Sequence, residues 1–247
     1  MDITDRLRWL DGKSYTNDDG EPRQLRLMPP LTPGQIDGLA AGLPCPLPDE
    51  IRRALLVSAG LSGAEHVDDT VDLSGLSQSG QWLEEFSPHA VSIACDGCGN
   101  SWSLDLWPQS RQWGPVFYIS HDPPVVVFQC STIEEFLEQL VRQPKESDMG
   151  DPLRARVDRI WGQNPGLLTP SQAAHKDPTL AAFAAELGEP WEFIDLRTPV
   201  LGDGISWGRY GPDTQLKRHP QERIVAIKRP PARPSLWSRL FKRASSP

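Results

Sequence analysis

Alternating apolar residues, interrupted by glycine-rich turns, dominate the stretch from Ala90 to Gln143. Its first part, AVSIACDGCGNSWSLDL, alternates on both sides of a turn whose Asp-Gly and Gly-Asn steps supply the positive φ angles of a tight hairpin. Two further apolar runs, PVFYI and VVVF, flank a His-Asp-Pro-Pro turn. The stretch closes with a helix pattern in which Ser131 is the predicted N-cap and Glu134 its capping-box partner. This order of elements predicts an antiparallel sheet against which a helix packs.

Helix signals also precede this stretch. The sequence TPGQ at 32–35 predicts a capped helix with proline at its first position, and a second helix is predicted to begin near Pro48 and to end at Gly60. Residues 1–30 lack periodicity, and the acidic, glycine- and serine-rich segment 61–88 is interpreted as a loop.

The chain changes in composition at QPKESD, residues 143–148. After it, Leu153–Trp161 is predicted to form a short helix, and Asp177 is predicted to cap a longer one. Two apolar segments, 191–196 and 223–227, are predicted strands on either side of a glycine-rich loop.

These patterns together predict an α+β fold, in which a mostly antiparallel sheet is packed by helices and is followed by a smaller C-terminal α/β extension. We expect the main domain to span residues 1–143 and the extension to span residues 150–229. Residues 230–247 are expected to form a proline-rich basic tail.

Charge is distributed unevenly along the chain. Residues 1–150 carry a net charge of −13 and residues 151–247 a net charge of +5, which gives −8 in total. An acidic body repels nucleic acid and attracts basic partners, so we expect no direct binding of nucleic acid. The candidate partner-binding residues are five acids and an aromatic–arginine pair: Asp68, Asp69, Asp72, Glu84, Glu85, Trp207 and Arg209.

Cys95 and Cys98 form a C-x-x-C motif. In other proteins this motif supplies two ligands of a zinc site or forms a redox pair. A closed zinc site takes four ligands, and the sequence offers neither a second C-x-x-C nor an H-x-x-x-H. A redox pair opens a helix, whereas these cysteines stand in a turn sequence. Asp96, Asn100 and Asp105 do not follow the spacing of a calcium loop and are interpreted as turn residues that bond to their own backbone. We therefore predict no metal and no cofactor.

Two short sequences resemble parts of enzyme active sites. The segment GISWG around Ser206 matches G-x-S-x-G, but a nucleophile elbow lies between a strand and a helix, and no helix pattern follows this one. His121 and Asp122 are adjacent, yet an aspartate before proline is ordinary turn chemistry. We predict that the protein is not an enzyme.

Membrane insertion is not indicated by the sequence. No apolar run approaches the roughly 18 residues of a membrane span. The start, MDITDRLRWLDGK, has no apolar region of the kind found in a secretory signal. We expect a cytoplasmic location without stable membrane insertion.

The residues of the predicted turns and strands carry a family resemblance. They are Asp96, Gly97, Gly99, Asn100, Asp105, His121 and Asp122. Taken in order with the helix signals before and after them, these residues resemble the SUKH superfamily over about residues 30–143. Within the superfamily, the chain is similar to the fungal cell-wall-assembly-regulator (Smi/Knr) type. The resemblance implies an α+β domain with a mostly antiparallel sheet.

The resemblance also implies a function. Bacterial members of the superfamily are often immunity proteins that neutralise a cognate polymorphic toxin, and fungal members are regulatory hubs. Our first hypothesis is an immunity protein whose partner is a toxin with a basic domain that acts on nucleic acid. The alternative is a regulatory module that docks protein partners or a membrane through the basic tail. An enzyme built on His121-Asp122, on Cys95 and Cys98 or on Ser206 is the third hypothesis, and the sequence leaves the oligomeric state open.

Overall fold

The computed structural model describes residues 2–16, 22–64, 69–75, 85–109, 111–140 and 152–231. Its helices are α1 (Ile3–Leu10), α2 (Pro33–Ala41), α3 (Asp49–Leu55), α4 (Ile133–Gln139), α5 (Pro152–Gln163), α6 (Pro170–Lys176) and α7 (Pro178–Leu187). The strands of the first half are β1 (Ser14–Thr16), β2 (Pro22–Gln24), β3 (Arg26–Leu27), β4 (Gly60–Ala64), β5 (Asp69–Asp72), β6 (Val91–Cys95) and β7 (Ser101–Trp107). The remaining strands are β8 (Gln112–His121), β9 (Pro124–Cys130), β10 (Trp191–Asp195), β11 (Gly204–Ser206), β12 (Gln215–Arg218) and β13 (Ile224–Lys228).

An eight-stranded sheet in the order β11-β9-β8-β7-β6-β5-β4-β3 forms the centre of the molecule. Every neighbouring pair in it is antiparallel. A smaller antiparallel sheet has the order β10-β13-β12, and β1 and β2 form a separate hairpin. The predicted α+β class, with a mostly antiparallel sheet and a smaller C-terminal part, is confirmed.

The two faces of the large sheet are buried against different layers. Side chains alternate between the faces of a strand, so along β8 Val116 and Tyr118 face one layer while Phe117 and Ile119 face the other. The first layer consists of helices and includes Leu7 of α1, Ile51 of α3, Phe136 of α4 and Ile160 of α5. The second layer is the small sheet, which contributes Ile194, Val225 and Ile227.

The part of the chain after residue 151 contributes one strand, β11, to the large sheet. Strand β11 pairs with β9 from Gly204 opposite Val127 to Ser206 opposite Val125. The amide of Phe128 donates a hydrogen bond to the carbonyl oxygen of Asp203 at 2.7 Å. The boundary that the composition predicts between residues 143 and 150 lies outside the described residues. The chain after it nevertheless supplies β11, an edge strand of the large sheet, whose other strands all come from before the boundary.

Several predicted elements are confirmed with close to their expected bounds. The capping box of α2 joins Thr32 and Gln35 as predicted, and Asp177 caps α7 by accepting hydrogen bonds from the amides of Thr179 and Leu180. The short helix predicted at Leu153–Trp161 is α5, and the two C-terminal strands are β10 and β13.

Other expectations were wrong. The segment interpreted as a loop, residues 61–88, contains most of β4 and all of β5, and the N-terminal segment, for which no element is predicted, contains α1. Helix α3 ends at Leu55, and Gly60 instead begins β4 with φ of +151°, where the carbonyl oxygen of Val71 lies so close that a Cβ could not fit. The N-cap of α4 is Thr132, not Ser131, since the Thr132 hydroxyl accepts the hydrogen bond from the amide of Glu135.

The two sheets are joined by a buried carboxylate, Asp105 in the middle of β7. Arg218 of β12 donates to both of its oxygens, at 2.9 and 2.8 Å, and Arg223 donates from Nε at 2.8 Å. The hydroxyl of Ser87 donates to the same carboxylate, and the Arg218 guanidinium lies over the Trp107 ring at 4.3 Å. Asp105 is therefore not the turn residue that we expected, because it pairs with charges almost 120 residues further along the chain.

Replacing Asp105 by Asn should destabilise the protein by about 3–5 kcal/mol, because it leaves charged groups buried without a counter-charge. The side chains of Asp105 and Arg218 are only 1% and 6% exposed, so water cannot replace the lost charge. The measurement is the urea midpoint of equilibrium unfolding. Asp213→Asn, at an exposed loop position, is the matched control and should leave the midpoint unchanged. Equal midpoints for the two variants would contradict the assigned role of Asp105.

Candidate functional site

The polar residues of the predicted turns form a cluster at one end of the large sheet. Asp96 accepts hydrogen bonds from the amides of Cys98 and Asn100, at 2.9 and 3.0 Å, and from the Asn100 side-chain amide at 2.6 Å. The hydroxyl of Tyr118 donates to the same carboxylate at 3.2 Å. This carboxylate therefore holds the turn between β6 and β7 in place, as predicted for a turn residue.

The ionisation of Asp96 agrees with this role. Partial burial acts to raise the pKa of Asp96, but the hydrogen bonds from Asn100, Cys98 and Tyr118 outweigh it and hold the pKa below its usual value. A carboxylate with a lowered pKa is a poor general base at neutral pH.

His121 belongs to the same cluster. The side-chain oxygen of Asn100 accepts hydrogen bonds from the backbone amide and from the ring Nδ1 of His121, both at 2.9 Å. An amide oxygen can only accept, so Nδ1 carries the proton in this arrangement. The adjacent Asp122 is exposed in the turn between β8 and β9. Nδ1 of His121 therefore serves to tie the β6–β7 turn to the end of β8.

The cysteine motif lies on the same turn. Cys95 and Cys98 are exposed and are not joined in a disulfide. Throughout the parts of the chain that the structure describes, no group of three or more His, Cys, Asp or Glu side chains is placed to hold a metal ion.

Ser206, the centre of the G-x-S-x-G string, lies in β11 and is fully buried. Its backbone amide donates to the side-chain oxygen of Asn164 at 3.0 Å, and the chain after it leads into a turn instead of a helix. A nucleophile elbow exposes its serine at a strand-to-helix turn, so this serine has neither the context nor the exposure that the chemistry needs.

The predicted aromatic–arginine loop is partly engaged with the protein itself. Trp207 is half-buried and packs against the core between the two sheets. Arg209 is exposed, but its guanidinium donates to the carbonyl oxygen of Trp161. The next residue, Tyr210, has the guanidinium of Arg229 over its ring at 4.4 Å.

The predicted acidic surface lies partly within the described residues. Asp68 and Glu84 lie outside the described residues, as does the side chain of Asp69. Asp72 is half-buried and caps its own turn, accepting from the amides of Ser74 and Gly75 at 2.7 and 3.1 Å. Glu85 is exposed. The tail from residue 232 onward is also outside the described part of the chain.

An open cleft of about 610 Å³ lies where the start of β8 meets the loop after β10. Its lining residues are Gln112, Trp113, Gly114, Pro115, Phe128, Ser131, Arg197, Thr198, Pro199, Val200 and Arg223. The two arginines at this cleft are already paired with carboxylates. Arg223 bonds to Asp105 and to the carbonyl oxygen of Gly114, and Arg197 bonds to Asp195 and Asp177.

Arg197 controls the ionisation of its two partners. Its hydrogen bonds lower the pKa of Asp195 to about 2 and also lower the pKa of Asp177. Two carboxylates thus compensate Arg197, whereas the single charge of Asp105 is shared between Arg223 and Arg218. The sequence did not single out this cleft, because its walls come from segments about 85 residues apart.

Among the described residues, no helix has both the length and the apolar character that crossing a bilayer requires.

The sequence model of one protein family, described as the SMI1 / KNR4 family (SUKH-1), matches residues 30–139. No curated protein and no solved structure matches the chain.

Replacing Gly99 by Ala should destabilise the protein by about 1–3 kcal/mol. Gly99 has φ of +93°, and a Cβ there would lie 3.1 Å from the His121 ring, so the turn cluster must shift to admit it. Gly38→Ala is the matched control, because nothing lies within 4 Å of a Cβ at this position in α2. The control should stabilise the protein by about 0.5–1 kcal/mol. Thermal unfolding measures both changes, and a Gly99 variant as stable as the wild type would show that the cluster does not constrain the turn.

Proposed function

We propose that this protein is an immunity protein that binds a protein toxin and covers its active site, because residues 30–139 match the sequence model of the SMI1 / KNR4 family (SUKH-1). The family match is the observation that carries the proposal. The binding role requires no catalysis, and the toxin is the only partner that it requires. We place the encounter in the cytoplasm, where an immunity protein protects the cell that makes the toxin.

The contacts of the turn residues support a binding protein over an enzyme. Asp96, Asn100 and His121 bond to one another and to the backbone of the turns that they hold. Ser206 is buried in β11. The residues that most resemble catalytic groups thus have structural roles.

A rigid scaffold also suits a protein that inhibits by occupying a surface. The eight-stranded sheet is buried on both faces around β8 and β9 and is tied to the small sheet by the Asp105 ion pairs. A partner that binds such a surface loses little affinity to ordering the protein, because the fold already fixes the geometry.

The negative charge of the N-terminal part of the chain supports the proposal that the partner is basic. Residues 1–150 carry a net charge of −13, and an acidic surface accelerates encounter with a positively charged cleft. Toxins that act on nucleic acid bind phosphates through such clefts, so carboxylates of the immunity protein would take the place of the phosphates. Glu85 is the described and exposed member of the predicted acidic set.

Co-expression with the toxin candidate encoded beside its gene should restore growth to cells that the toxin alone arrests. The purified pair should form a complex at equimolar ratio in size-exclusion chromatography. Growth that stays arrested, together with the absence of a complex, would contradict the proposed function.

Charge reversal of Glu85 to Lys should lower the association rate constant with the toxin by a factor on the order of 3–10 at low salt. The dependence of the rate on salt should become weaker at the same time. Asp213→Lys, at an exposed position of the C-terminal extension, makes the same change in net charge and is the control. Stopped-flow kinetics measure both variants. A Glu85 variant that associates no more slowly than the Asp213 variant would contradict the proposed role of the acidic surface in association.

A further inference from the structure

The loop between β10 and β11, residues 197–203, exposes two adjacent aliphatic side chains. Val200 is 66% exposed and Leu201 is 60% exposed, more than any other large apolar side chain in the described parts of the chain. Exposed apolar side chains that stand together at the edge of a cleft are typical of interaction sites.

The loop that carries this pair is held in place by its own hydrogen bonds. The amide of Val200 donates to the carboxylate of Asp203 at 2.9 Å, and the amide of Asp203 donates to the carbonyl oxygen of Val200 at 2.9 Å. The carbonyl oxygen of Asp203 then accepts from the amide of Phe128 in β9. The two apolar side chains are thus presented by a closed turn that is anchored on the large sheet.

Both ends of the loop are anchored as well. Arg197 at its start bonds to Asp195 and Asp177, and Gly204 at its end pairs with Val127 in the sheet. A pre-organised loop loses little conformational entropy on binding, so its exposed side chains can contribute most of their burial energy to affinity.

The surroundings of the pair are positively charged on one side. A Cβ at Gly202 would lie 3.6 Å from Nη1 of Arg159 and 3.7 Å from Cδ of Arg156, which places both α5 arginines beside the loop. Arg159 is exposed and forms no ion pair with any described residue, whereas Arg154 pairs with Asp158 at 3.3 Å. The positive charge of Arg159 thus remains available to a partner.

The other side of the pair is the open cleft. Val200 and Pro199 line the cleft together with Trp113 and Pro115. A partner that covers Val200 and Leu201 can therefore also place a side chain of its own in the cleft. Reciprocal insertion of this kind is common at the centres of protein interfaces.

We propose that Val200 and Leu201 form a docking site for a protein whose surface carries a shallow apolar pocket edged by carboxylates. The aliphatic pair enters the pocket, and the carboxylates meet Arg159. The inference rests on the proposed function and identifies that protein as the toxin, which this loop contacts outside the family domain. The acidic body then accelerates encounter, and the loop of the extension selects which toxin stays bound.

The test compares the toxin affinity of the Val200→Ser/Leu201→Ser double variant with that of the wild type by isothermal titration calorimetry. Loss of the apolar pair should raise Kd on the order of 100-fold while the thermal midpoint of the free protein stays unchanged, because both side chains are exposed. Arg159→Glu should raise Kd on the order of 10-fold. The matched control is Leu56→Ser, which removes a 47% exposed leucine from the family domain and should leave Kd unchanged.

The outcomes separate the two proposals. Wild-type binding with an unchanged Kd for the double variant overturns the docking site and leaves the immunity function standing. A wild-type protein that does not bind the toxin overturns the function and, with it, the inference. Vesicles containing phosphatidylserine form the second arm, and binding to them that depends on Val200 and Leu201 would show that the pair contacts a membrane and would overturn the protein docking site.

Discussion

The Asp105 carboxylate lies in the middle of the large sheet and holds two arginines that come from the far end of the chain. Arg218 and Arg223 bond to it from β12 and from the turn before β13, and both guanidinium groups also bond to backbone carbonyls of the main domain, those of Phe86 and Gly114. A buried charge without its partner is strongly destabilising. Separating the extension from the sheet would break these ion pairs and expose the apolar side chains packed between the two sheets, so the two parts are expected to stabilise each other.

The same constraint determines where the cleft and the loop beside it lie. Strand β11 lies at the edge of the large sheet beside β9, and the loop before it contributes Val200 to the lining of the cleft. The cleft exists only because both segments are present, since Trp113 belongs to the main domain and Arg197 to the extension.

The sequence predicts the elements whose signals are local and misses the relations that depend on distant partners. Strand alternation, the capping box of α2 and the aspartate cap of α7 are short-range patterns, and these predictions are confirmed. Asp105 is predicted to be a turn residue together with Asp96 and Asn100, because the three do not follow the spacing of a calcium loop. Its actual partners, Arg218 and Arg223, lie far along the chain and leave no signal near Asp105 in the sequence. The cap of α4 was misplaced by one residue because Ser131 and Thr132 carry the same hydroxyl chemistry. The only local signal of the Val200–Leu201 loop is an apolar pair inside a polar turn sequence, TPVLGDG.

Native-state hydrogen exchange tests the central claim, that the family domain and the C-terminal extension unfold as one unit joined through Asp105. We expect the slowest amides of β8 in the domain and of β13 in the extension to open with the same free energy and with the same dependence on denaturant. Asp105→Asn should lower both opening free energies equally. Amides of β13 that open at a clearly lower free energy than those of β8 in the wild-type protein would contradict the account, because the extension would then open by itself while the domain stays folded.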